Sequence, residues 1–138
     1  MKTLKGKILS FFLAVLAVGS MCAMTAFAAG QNSVSITLRT DQSVARAGHT
    51  TEANKSCSFK GNNNASSKHG VWLIPKYCEV GGSWHDYDTK EKLMDVGTSV
   101  TPFTIKNPRE PHEIHWSVEL KVFLSMEDCS ATASATLQ

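Results

Sequence analysis

The 138-residue sequence carries none of the short patterns that announce a catalytic centre. It has no G-x-S-x-G, no P-loop and no dinucleotide fingerprint, so it offers no motif for a serine hydrolase, a phosphate-cradling loop or a nicotinamide cofactor. It lacks a long amphipathic helix and any alternation of strand and helix signals, which excludes an α/β layer design. There is no internal repeat. There is also no surplus of charge once the N-terminal segment is set aside. Lys2, Lys5 and Lys7 are three of the 14 basic residues, so the chain after Ala28 carries eleven against 12 acidic ones, a net charge of −1 with neutral histidines. A near-neutral domain has no electrostatic footprint for nucleic acid. It has no polybasic cluster to hold it on an anionic membrane either. The composition predicts no enzyme, no cofactor and no resident metal.

The only long apolar run is at the start. Lys2, Lys5 and Lys7 precede a stretch from Ile8 to Val18 that is apolar but for Ser10, and small residues lead to Ala26-Phe27-Ala28. This is the layout of an export signal with an A-x-A cleavage site. A spanning helix needs about 20 apolar residues, and Gly19 and Ser20 interrupt this one. Residues 1–28 are therefore predicted to be a signal peptide and 29–138 the secreted domain, with no stable membrane anchor after cleavage. The lysine-rich beginning and alanine-rich end have the form of Gram-positive export signals, so the predicted location is extracellular.

The 29–138 segment is long enough for one domain and one core. Eight aromatic residues supply it: Phe59, Trp72, Tyr77, Trp84, Tyr87, Phe103, Trp116 and Phe123.

Strict alternation marks the C-terminal end. Ile114, Trp116, Val118, Leu120, Val122 and Leu124 alternate with His115, Ser117, Glu119, Lys121 and Phe123, and after Ser125–Asp128 the residues Cys129, Ala131, Ala133, Ala135 and Leu137 alternate with Ser130, Thr132, Ser134 and Thr136. Period two is the pattern of a half-buried strand. The two runs fit one hairpin register, with Leu124 opposite Cys129 and Trp116 opposite Leu137, large residues facing small ones.

Further strands are predicted around Ser33–Arg39, Thr51–Lys60, Val71–Val80 and Val100–Lys106. In Val71–Val80, Trp72, Ile74, Cys78 and Val80 share the side assigned to the core, and Pro75 suggests an edge or a bulge. Gly61-Asn62-Asn63-Asn64 reads as a loop. Asp88-Thr89-Lys90-Glu91 has the form of a helix start, with a short helix running to Val96. The whole predicts an all-β fold: a small antiparallel β-sandwich of six to seven strands with a C-terminal β-hairpin, immunoglobulin-like in type, a partly open barrel being the alternative.

Three cysteines follow the signal: Cys57, Cys78 and Cys129. Export permits a disulfide. If residues 51–60 and 70–80 form a direct hairpin, Cys57 and Cys78 lie about five residues apart along it, roughly 17 Å. A bridge needs Cα atoms within about 7 Å. Cys129, joined to Cys57 or Cys78, is thus the predicted bridge. His112 and His115 point to opposite faces of a strand and make no metal pair.

One segment stands outside this pattern: Gly81-Gly82-Ser83-Trp84-His85-Asp86-Tyr87-Asp88. An exposed Trp or Tyr beside carboxylates can stack on a sugar ring and hold its hydroxyls, and the same residue types serve protein interfaces. The competing reading packs Trp84 inward in a twisted strand. Trp84, His85, Asp86, Tyr87 and Asp88 are the predicted ligand-binding residues. Asp86 and Asp88 are also the oxygen-donor type that calcium takes, with no spacing pattern that decides it. The predicted function is a small secreted, non-catalytic binding module for a cell-surface glycan or an extracellular protein. The alternative is a secreted toxin or bacteriocin-like antimicrobial protein.

Overall fold

The computed structural model describes residues 32–51 and 56–138; the predicted signal peptide, 1–28, and residues 52–55 lie outside them. The described residues form nine strands: β1 (Ser33–Leu38), β2 (Val44–Arg46), β3 (Cys57–Asn63), β4 (Val71–Glu79), β5 (Trp84–Asp86), β6 (Lys92–Met94), β7 (Ser99–Ile105), β8 (Ile114–Val122) and β9 (Ala131–Leu137). The six long ones correspond to the predicted strands. β2, β5 and β6 have three residues each, too few to show a period.

The strands make two antiparallel sheets packed face to face. One has the order β1-β9-β3-β7, the other β2-β8-β4-β5, with β6 also on β4. The chain changes sheet at every step except β4 to β5 to β6. An immunoglobulin domain, with sheets ABED and CFG, sets the consecutive strands A and B, D and E, and F and G side by side. Here the two orders are those of a jelly roll. The all-β sandwich is as expected, and the immunoglobulin connectivity is corrected.

The predicted C-terminal hairpin is also corrected. β8 pairs with β2 and β4, whereas β9 pairs with β1 and β3, so the two strands lie in opposite sheets. Leu124, Ser125 and Asp128 all adopt positive φ, and this corner carries the chain from one layer to the other. The corner is pinned by the Phe123 N–H to the Gly70 carbonyl and the Asp128 N–H to the Thr40 carbonyl, both 2.9 Å. The alternation was real, because Trp116, Val118, Leu120 and Val122 and the facing Ala131, Ala133 and Ala135 all line one core. Alternation assigns a face, not a partner. The large residues of β8 meet the small ones of β9 across the layers, while on its own ladder with β1 the strand β9 sets Ala131, Ala133 and Ala135 opposite Leu38, Ile36 and Val34.

Phe59 packs edge-on against Trp116, ring centroids 5.6 Å apart, and stacks on Phe103 at 5.7 Å. Phe59, Trp116, Leu38, Leu73 and Leu120 are fully buried. Each such side chain contributes on the order of 1.5–3 kcal/mol relative to exposure.

Four further expectations change. β3 and β4 are not a hairpin but belong to opposite sheets, and Gly61–Asn63 complete β3 instead of forming a loop. Asn63 is buried there, its Nδ2 donating to the His69 and Met94 carbonyls at 3.0 and 3.1 Å. The core side of β4 is Val71 and Leu73; Trp72, Ile74 and Cys78 lie on the other parity, outside the central core cluster. Because residues 71–74 are all apolar, the sequence shows no parity there. The helix expected over 88–96 is a single 3-10 turn, Asp88–Lys90, followed by β6.

Pro75 sits in a central strand instead of an edge. β6 pairs with residues 71–73 and β5 with 76–78, and Pro75 falls in the gap between them, its carbonyl accepting from the Tyr87 N–H at 2.8 Å. No ladder donor is required at that point.

Cys57, Cys78 and Cys129 are buried and free, so the bridge predicted between Cys129 and Cys57 or Cys78 is not formed. The hairpin register behind that prediction does not exist. Cys78 instead donates to the Glu79 and Gly82 carbonyls at 3.1 and 3.2 Å, and Cys129 to the His69 carbonyl at 3.4 Å.

Candidate functional site: a groove on the outer face of the β2-β8-β4-β5 sheet

Side chains on a strand alternate between faces. On β4 the residues turned away from the core are Trp72, Ile74, Lys76 and Cys78. Across the ladders they meet Lys121, Glu119, Ser117 and His115 of β8. On the other side, Lys76 faces Asp86 and Cys78 faces Trp84 of β5. These pairings put Trp84, Lys76 and Asp86 on one outer face.

The opposite wall is the segment after β2. The Ala47 N–H donates to the Val118 carbonyl at 3.0 Å and the Thr50 N–H to the Trp116 carbonyl at 2.9 Å, so residues 47–50 run along β8. The Ser117 hydroxyl fastens the same segment, donating to the Gly48 carbonyl at 2.7 Å. Between this wall and β5 lies a groove of about 880 Å³, lined by Arg46, His49, Lys76, Trp84, Asp86 and Asp88 among others.

Trp84 stands 42% exposed at the rim, so it does not pack inward. Its ring is tilted against His49 at 6.0 Å, and His49 lies 5.1 Å from His115. His85 stacks on Tyr77 at 5.3 Å.

Beneath them runs a chain of charges. Arg46 Nε donates to Glu119 Oε2 at 2.6 Å, and Lys76 Nζ donates to the same oxygen at 3.1 Å and to Asp86 Oδ1. The Glu119 and Lys76 side chains are 6% and 14% exposed, so the pair is shielded from screening. Burial pulls the Lys76 pKa down, but its hydrogen bonds to Asp86 and Glu119, and their charges, outweigh that and raise it above the ordinary lysine value. Lys76 spends two of its three donor protons here.

Of the five predicted residues, Trp84, His85, Asp86 and Asp88 line the groove. Tyr87 does not; it packs against Tyr77 at 6.0 Å and against the core. The residues missing from the sequence reading are Arg46, His49, Lys76, Ser117 and Glu119. A signal existed for one of them: Lys76 is a charge set in the middle of an otherwise mostly apolar strand, whereas Glu119 falls on the polar parity of β8 with His115, Ser117 and Lys121.

Among the described residues, Asp86, Asp88 and Glu91 each bring a carboxylate oxygen within 4.8 Å of the others, a spacing a hard cation could use. Asp86 is already engaged by Lys76. Burial, then the charges of Asp88 and Asp86, push the Glu91 pKa up. Among the described residues no helix is long and apolar enough to cross a membrane.

No protein-family model matches the chain. No curated protein matches it. Among solved structures, the crystal structure of PirA is similar over 80% of this chain and 97% of that one, with a TM-score of 0.46 and 9% identity, a likeness too distant to bear on the groove.

Proposed function

We propose that the groove beside Trp84 binds carbohydrate and that the chain is a secreted, non-catalytic module for a cell-surface glycan. The observation that carries this reading is the exposed Trp84 ring on the wall of a groove that also presents Arg46, Lys76, Asp86 and Asp88. An indole offers a broad apolar face, which suits the C–H face of a sugar ring. Charged and amide-like groups placed around such a face hold hydroxyls and fix orientation.

The carboxylates favour binding over catalysis. Asp86 and Glu119 are engaged by Lys76, and Glu119 also by Arg46. With these oxygens already bound to the two cations, they are not placed to exchange a proton with a ligand. Export is part of the proposal and rests on the N-terminal lysines, the Ile8–Val18 run and the A-x-A site.

The test is a screen of the purified protein against a panel of glycans and cell-wall polysaccharides, with Trp84→Ala beside it. Saturable binding that disappears in a still-folded mutant supports the reading. Absence of binding by the wild-type protein contradicts it and directs attention to an extracellular protein partner or to a toxic activity.

A further inference from the structure

A second cavity of about 310 Å³ lies further along the same sheet face, lined by Trp72, Ile74, Glu119, Phe123 and Leu124, and Asp86 lines both it and the Trp84 groove. We infer that the two are one elongated site, and that its ligand is an extended oligosaccharide spanning from Trp84 to Trp72. The inference rests on the carbohydrate reading and adds to it the length of the ligand and a second aromatic subsite.

The register sets the span. Trp84 is level with Cys78 across the β4–β5 ladder. Trp72 precedes Cys78 by six residues on the same strand and the same face, a separation of about 20 Å. At the far end Trp72 lies between Leu93 of β6 and Lys121 of β8. Phe123 and Leu124 extend that end as exposed apolar side chains, Leu124 with 75% of its surface in solvent. Leu124 is held in the left-handed backbone region, φ 59°. Leucine visits that region at a cost, so the corner keeps an apolar side chain projecting beside the second cavity.

Between the two aromatic ends lies the belt of Arg46, Glu119, Lys76 and Asp86. Its members fix one another, so donors and acceptors are ordered before a ligand arrives, which lowers the entropy lost on binding. An apolar ring face at each end and ordered polar groups between match a chain of linked sugars, each with two apolar ring faces and a rim of hydroxyls. A peptide strand added to a sheet would need a free edge. The site is on a face, and the strands flanking it, β2, β5 and β6, have three residues each.

The test is calorimetric titration with cello- and chito-oligosaccharides graded from monomer to hexamer, on wild type, Trp84→Ala and Trp72→Ala, with melting curves for each. Affinity should climb with length and level off once the chain covers both ends. Trp84→Ala should weaken every length by roughly tenfold, the scale of one aromatic contact. Trp72→Ala should leave the shortest sugars unchanged and remove the gain of the long ones. Should Trp72→Ala unfold, Phe123→Ser on the exposed corner serves the same comparison. Binding of short sugars with no dependence on length, or a long-chain affinity untouched by the folded far-end variants, overturns the elongated site and leaves the Trp84 reading standing. No binding at any length overturns both.

Discussion

Lys76 Nζ lies 3.1 Å from Glu119 Oε2 on the outer face of the sheet, and the same ammonium reaches Asp86 on the neighbouring strand. This contact joins β4, β8 and β5 under the groove, so it shapes the site and stabilises the fold together. Lys76→Met should cost about 1–3 kcal/mol, the scale of hydrogen bonds to charged groups. Glu119 keeps Arg46 as a partner, which limits the loss. Because the folded-state pKa of Lys76 is raised, its contribution is complete below the ordinary lysine value and disappears as pH rises through the raised one. Urea unfolding of wild type and mutant should therefore show the difference at neutral pH and converge at strongly alkaline pH.

Glu91 works in the opposite sense. Burial and the nearby Asp88 and Asp86 charges raise its pKa, so its ionised form opposes folding. The penalty is absent in acid and sets in as pH rises through the raised value. Glu91→Gln should raise the melting temperature at neutral pH, by a gain of at most ~1 kcal/mol, the scale of exposed charge interactions. Calorimetric melts at acidic pH should show no difference between the two proteins.

Cys57 should be chemically silent while the protein is folded. Burial pushes its thiol up to about 12, against a smaller opposing hydrogen bond, and the side chain is inaccessible. The thiolate is the reactive species. Iodoacetamide at mildly alkaline pH should leave Cys57 unmodified in native protein and alkylate it in guanidinium, as read by peptide mass spectrometry.

Asn63→Leu should destabilise by about 2–4 kcal/mol, two lost hydrogen bonds plus the desolvation of the carbonyls left behind. The Nδ2 group ties the His69 and Met94 carbonyls, and no water can replace it at a fully buried position. Chemical denaturation of the mutant measures this directly.

The alternation of residues 114–122 and 129–137 identified the buried faces of β8 and β9, because period two is a local property of a strand. It could not identify their partners, since a hairpin and a crossing between sheets bury the same side chains. β4 lost its parity for a different reason: with Val71, Trp72, Leu73 and Ile74 all apolar, either face reads as core. The Trp84–Asp88 segment was legible because aromatics and acids there sit outside any apolar run. The facing wall was not. Arg46 meets Glu119 across 73 positions of sequence, and only the sheet order brings them together.

The three tryptophan indole N–H signals offer the most direct test of the groove. Trp84 and Trp72 lie on its two ends, and Trp116 is sealed in the core. Titrating labelled protein with a cello- or chito-oligosaccharide hexamer in two-dimensional NMR should shift the Trp84 and Trp72 indole resonances and leave Trp116 in place. Saturable shifts confined to the β1-β9-β3-β7 face, or none at all, would contradict the assignment of the site.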